Sequence, residues 1–158
     1  TALEDAKAGV KLPQMTFVSR IDGLIDVGGF TRLTEKTIWQ AIENAQVPYE
    51  EWTIRKEPSG GKPILHLYME LRNGEVGVDH IADRVHDSLK ALDGPYRDLE
   101  EITGLKPLHV SLLSKGTFRR YYEERQAAGA DLAHLKPPHV NASDAVIEGL
   151  QHMSVWRI

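Results

Sequence analysis

Residues 114–140 read SKGTFRRYYEERQAAGADLAHLKPPHV, and they gather charge that could do chemistry. Lys115, Arg119, Arg120, Arg125 and Lys136 stand against Glu123, Glu124 and Asp131. This local excess of positive charge is opposite in sign to the chain, whose net charge is −4. A basic patch on an acidic protein suits a small anion better than a polyanion. Lys136 precedes Pro137-Pro138, and proline restricts both itself and the residue before it. A lysine there is presented from a stiff loop. It can meet a phosphate or remain a solvated side chain, and the residues alone leave both readings open.

Other candidates carry less. The 7 histidines invite a metal reading, but His80 and His86 are six apart on a helical segment and share a face poorly. No HExxH pattern occurs. Asp79, Asp83 and Asp87 do share a helix face, which reads first as a solvated surface. His109 alternates with apolar neighbours in a strand and reads as a packed histidine. Ser59-Gly60-Gly61-Lys62 lacks the spacing and the strand-to-helix context of a phosphate loop. Gly28-Gly29 serves chain geometry. No nucleophile-elbow pattern supports a hydrolase. We expect no metal site.

Composition narrows the class. The chain has 158 residues, 41% hydrophobic and 27% charged, enough for one domain with its own core. With 19 basic and 23 acidic residues, nucleic acid is not the expected partner. There are 0 cysteines, which excludes disulfides, thiolate catalysis and thiolate metal ligation. No apolar run reaches membrane-spanning length, and no secretory leader opens the chain, so neither a membrane partner nor secretion is expected. The start at Thr1-Ala2 suggests an excised or processed piece of something larger.

Elements must position these groups. Residues 1–13 have weak periodicity and read as a tether. MTFVSRI and GLIDVGG flank Asp22-Gly23, a hairpin signal. LTEKTIWQAIENAQ reads as a helix capped by Thr34, with Ile38, Ile42 and Ala45 on one face, stopped by Pro48. YEEWTIRKE and PILHLYMELR read as strands joined by a longer connection through SGGKP. Residues 76–92 put Val78, Ile81, Val85 and Leu89 on one helical face. A turn and short helix (DGPYRDLEEITGL), a strand (LKPLHVSLLSKG), a helix ending near Gly129 and a last short helix (ASDAVIEGLQHM) follow. The order predicts an α+β fold, a ferredoxin-like split β-α-β sandwich. An extra strand leads, and helices lie over one face of a mostly antiparallel sheet.

MTFVSRIDGLI, LTEKTIWQAI, GPYRDL, KPLHVSLLSKGTF and QAAGADLAHLKPP occur in an order that resembles the C-terminal domain of the Gretchen Hagen family. These are the auxin-responsive acyl-acid amido synthetases, a branch of the acyl-adenylate-forming enzymes, and the resemblance spans roughly residues 13–140. It implies a lid domain at 14–158, with 1–13 a linker or hinge remnant. The lid would close on a large N-terminal adenylation domain of the same polypeptide. The implied enzyme is cytoplasmic and uses ATP, with Mg²⁺ bound mainly by that N-terminal domain, to join a carboxylic acid to an amine or amino acid. The isolated domain is expected to be inactive. Lys136 resembles the family's phosphate-directed lysine, and Arg20 lies where the family has its hinge. Lys115, Thr117, Arg119 and His139 are the expected phosphate- or substrate-binding neighbours. His134-Leu135 replaces the family's Gln-Tyr, and His139 stands where the family has arginine. A titratable group thus occupies the place of a fixed cation. A lid of a coenzyme A ligase differs only in its acceptor. The alternative from another class is a stand-alone ferredoxin-like module that binds a small ligand or regulates.

Overall fold

The structure is a computed structural model. It describes residues 2–5, 10–13, 23–29, 31–72, 77–104, 106–131 and 135–154. Its centre is a hairpin of two long strands, β5 (Tyr49–Ser59) and β6 (Lys62–Leu71). Ser59 pairs directly with Lys62, so the connection is a two-residue turn. Gly60 and Gly61 both take positive φ, 56° and 79°. That is the backbone of a tight hairpin turn whose twist matches the strands. The longer connection expected from SGGKP is therefore corrected.

Strand β7 (Leu108–Leu113) adds to β6 in parallel, giving the order β5-β6-β7. A parallel neighbour needs a crossover. It is supplied by α2 (Val78–Leu92) and α3 (Gly94–Thr103). In α2, Ile81, Val85 and Leu89 are buried as the spacing requires. The side chain of Val78 lies outside the described residues. Asp93 starts α3 by accepting from the Tyr96 N–H at 2.7 Å, and its carboxylate also accepts from the Thr31 hydroxyl at 2.8 Å.

Because β6 is central, both of its faces are covered. Leu65, Leu67, Met69 and Leu71 join the larger core with α2 and with α1 (Glu35–Asn44), which contributes Ile38, Ala41 and Ile42. On the other face Tyr68 packs with α4 (Thr117–Ala127) and α5 (Asp144–Met153) through Phe118, Tyr121, Ile147 and Leu150. Helices therefore lie on both faces of the sheet, not one. His66, Tyr68 and Glu70 hid this second buried face, because polar residues at alternate positions read as solvent-facing.

Helix α1 begins as predicted: the Thr34 hydroxyl accepts from the Thr37 N–H at 3.1 Å. It ends at Asn44, ahead of Pro48, where Gln46 turns the chain with φ 51°. Helix α4 closes just before Gly129, whose φ is 76°.

Two smaller hairpins complete the described chain. β3 (Leu24–Val27) pairs antiparallel with β4 (Thr31–Thr34). This described partner follows Gly28-Gly29. Residues 15–21, the partner expected from sequence, lie outside the described residues. Gly28 and Gly29 have φ 68° and 78°, and the Asp26 carboxylate accepts from the Gly29 N–H at 2.7 Å. β1 (Ala2–Asp5) and β2 (Val10–Pro13) also pair antiparallel, where the weak periodicity reads as a tether.

Candidate functional site

Residues from 115–122 and 136–139 border an open cleft of roughly 1110 Å³. Lys115, Arg119, Lys136 and His139 all line it, with Arg72, Arg120 and the acidic Glu50, Glu51 and Glu70. Two separate loops bring the lysines there.

The first loop runs from the end of β7 into α4. Its hub is Glu70, a β6 residue only 3% exposed. Its carboxylate accepts from the Gly116 N–H and, at 3.1 Å, from the Phe118 N–H. A carboxylate thus fills the positive end of α4, where the N–H groups lack helical partners. A phosphate would otherwise suit that place. Gly116 holds φ 81°, and a Cβ added there would lie 2.9 Å from Arg120 Nη1. Lys115 projects exposed from this clamped turn.

Arg120 is committed to structure. Its Nε and Nη2 donate to the Met153 carbonyl at 3.1 and 3.0 Å, and Nη1 donates to the Lys115 carbonyl at 3.0 Å. Nη2 also reaches the Ser114 hydroxyl at 3.1 Å. The guanidinium thereby ties the Lys115 loop to the C-terminal end of α5, the end that favours a cation. Thr117 does not face the cleft. It is fully buried and donates its hydroxyl to the Ser114 carbonyl at 2.6 Å.

The second loop carries Lys136. Leu135 before it is buried. The segment after it is fastened along β5: the Ile54 N–H donates to the His139 carbonyl at 2.8 Å, and the Asn141 N–H to the Ile54 carbonyl at 2.9 Å. The Thr53 hydroxyl donates to the Pro138 carbonyl at 2.7 Å. Lys136 leaves this seam exposed. Among the described residues neither Lys115 nor Lys136 has a salt-bridge partner, while Arg119 lies 3.7 Å from Glu123 on an exposed helix turn.

His139 is held on three sides. Nδ1 lies 2.8 Å from Glu35, Nε2 lies 2.9 Å from Glu51, and the ring stacks on Trp52 at 4.6 Å. With an acceptor at each nitrogen, both must donate, and that defines the imidazolium. The Glu51 hydrogen bond raises the His139 pKa above its ordinary value, burial opposes it, and Glu35 adds to the rise. Burial acts to raise Glu51, but bonds from His139 and the Trp52 N–H outweigh it and hold the carboxyl below its usual range.

Four of the six expected site residues therefore share one cleft. Thr117 is buried beneath it, and Arg20 lies outside the described residues. The sequence reading missed Glu35, Glu51 and Glu70, the carboxylates that organise the loops. Only Glu70 left a signal, a carboxylate inside the apolar strand PILHLYMELR. His109 is exposed rather than packed, since its strand position looks away from the larger core. Among the described residues no group of three or more acidic or histidine side chains could hold a metal ion. No described helix is long and apolar enough to cross a membrane.

The fold and cleft define an α+β domain in which two exposed lysines, without a salt-bridge partner among the described residues, line an open cleft. The family model for the GH3 family C-terminal domain matches residues 32–145. The chain belongs to the GH3, or Gretchen Hagen, family and carries its C-terminal domain. It is similar in fold to a solved structure of GH3.15 acyl acid amido synthetase, with a TM-score of 0.65 and 16% identity over 84% of this chain. A structure of AtGH3.15 acyl acid amido synthetase in complex with 2,4-DB gives a TM-score of 0.61, also at 16% identity over 84% of this chain. The chain covers 27% and 26% of the length of those two proteins. No curated protein matches it.

Proposed function

We propose that this chain is the closing domain of an ATP-dependent acyl acid amido synthetase. It works against an N-terminal adenylation domain, in the cytoplasm where ATP is supplied. The observation that carries this reading is the pair of exposed ammonium groups, Lys115 and Lys136, without a salt-bridge partner among the described residues and set on two independently fastened loops over one cleft. Adenylation builds negative charge on the α-phosphate and on the departing pyrophosphate. Preplaced cations stabilise that charge most when closure excludes water. Lys136 takes the phosphate contact, with Lys115 and Arg119 beside it.

His139 does not replace the family's arginine as a free cation. It is engaged by Glu35 and Glu51, and its role is to hold the Lys136 loop on β5. Thr117 supports the first loop from beneath. The cleft residues fit the phosphate of ATP. They do not offer a set for Mg²⁺, which falls to the adenylation domain, as do the carboxylate pocket and the choice of acid. Arg20 is assigned to the hinge, and residues 1–13 to the connection leading into it.

The test is ATP–pyrophosphate exchange by the full-length protein across a panel of carboxylic acids, for wild type and Lys136→Ala. The expected result is a loss of about a hundredfold or more with the fold intact. An unchanged exchange rate would make Lys136 a surface residue and overturn the reading.

A further inference from the structure

On the same face of the sheet, beyond Tyr68 from the cleft, three strands bring together Ser111, His66 and Glu57. Ser111 Oγ lies 2.8 Å from His66 Nε2, and His66 Nδ1 lies 2.7 Å from Glu57 Oε2. The other carboxylate oxygen of Glu57 accepts from the Tyr68 hydroxyl at 2.8 Å and from Arg55 Nε at 2.5 Å. The imidazole stacks on the Tyr68 ring at 4.1 Å, which fixes its plane. Burial acts to raise the Glu57 pKa, but the bonds from His66, Arg55 and Tyr68 outweigh it and keep the carboxyl low.

A hydroxyl, an imidazole and an ionised carboxylate in this order and at these distances form the nucleophile–base–orienter arrangement that activates serine. Recognition in such cases rests on geometry and roles, not on sequence position. That is why the absence of an elbow motif hid it. The register explains how the strands assemble it. His66 pairs with Arg55 on one side and His109 on the other, and Tyr68 pairs with Ser111. The alternation of β7 puts Ser111 on the same side as the exposed His109. His66 and Glu57 side chains are 19% and 18% exposed, sheltered yet open to small molecules. None of the three lines the cation cleft.

We infer that Ser111 is a base-activated nucleophile, a second reactive site that accepts the acyl group of small activated esters. The Ser111 proton passes to His66 Nε2 as Oγ bonds to the acyl carbon. The bond from that carbon to the alkoxide breaks, and the alkoxide leaves with the proton from His66. Water then attacks the acyl-serine, giving its proton to His66, and the acid departs with Ser111 restored. Glu57 keeps the imidazole in the tautomer that accepts at Nε2 and steadies its charge when protonated.

The test is labelling of the intact protein by a small fluorophosphonate, which takes the place of the ester, with the adduct located by peptide mass spectrometry. Ser111 is expected to react about a hundredfold faster than the exposed Ser59 of the same molecule, a comparison that needs no variant. His66→Gln should remove most of that advantage, and Glu57→Gln should lower it, with circular dichroism unchanged. The inference is overturned if Ser111 takes no adduct, or reacts no faster than Ser59. It is equally overturned if either folded variant labels at the wild-type rate.

Discussion

At the scale of single residues, His139 shows how two carboxylates can fix the protonation of a histidine. Two carboxylates flank its ring, so the doubly protonated form is the one that satisfies both contacts. Its folded pKa lies above the ordinary 6.5. Its contribution to stability is therefore complete below that value and is lost as pH rises through the folded pKa. Glu51 has a folded pKa below the ordinary 4.5. Its contribution is present above that value and disappears as pH falls through the folded one. The contact is thus whole between the two ordinary values and wanes on either side. Melting temperatures of wild type and His139→Gln, measured from pH 4 to pH 9, should be furthest apart near pH 5–6 and converge toward the alkaline end. A gap that widens above pH 7 would contradict the imidazolium assignment. The sequence revealed that a titratable group stood here. It could not reveal Glu35 and Glu51, which lie 104 and 88 residues away in the chain.

At the scale of elements, the periodic segments were legible and the pairings were not. Helix α1 was readable because Thr34, Ile38 and Ile42 obey local rules of capping and spacing. The β3–β4 hairpin was not read from the sequence because Asp22-Gly23 and Gly28-Gly29 are both turn signals, and local chemistry does not rank them. The buried second face of β6 was hidden by Glu70, a charged residue that strand alternation assigns to solvent. Its burial is explained only by the α4 N-terminus, formed 46 residues later. This pairing gives an element-scale prediction. Glu70→Gln keeps the shape but has one acceptor oxygen for two N–H groups. It should cost about 1–3 kcal/mol in urea unfolding, the penalty for one unmet buried donor. It should also weaken ATP–pyrophosphate exchange in the full-length protein by loosening Lys115. Wild-type stability in the variant would mean that water or the turn itself satisfies these donors.

At the scale of the whole molecule, the cleft is built from segments far apart in sequence, which limits what inspection of any one of them can give. The basic stretch and the Lys136-Pro137-Pro138 loop were visible because their chemistry is contiguous. Which cations are available was not visible, since Lys115 and Arg120 look alike on paper. Only the fold shows that Arg120 is tied into the structure while Lys115 projects from it. The same reasoning explains why Ser111, His66 and Glu57 escaped notice: they meet only when β7 joins β6 in parallel.

The Arg120 bond to the Met153 carbonyl, and the bond from the Ser114 N–H to the Ser154 hydroxyl at 3.0 Å, also bear on handling the protein. Helix α5 is moored to the Lys115 loop, so its C-terminal turn is no neutral place for a handle. Shortening the chain after Leu150 removes both moorings and should speed backbone amide exchange at residues 114–118, while amides in α2 keep their protection. Equal exchange in both regions would show that the moorings do not restrain the loop. An affinity tag, a fluorophore or a fusion partner that disturbs Met153 or Ser154 would therefore be felt at the Lys115 loop.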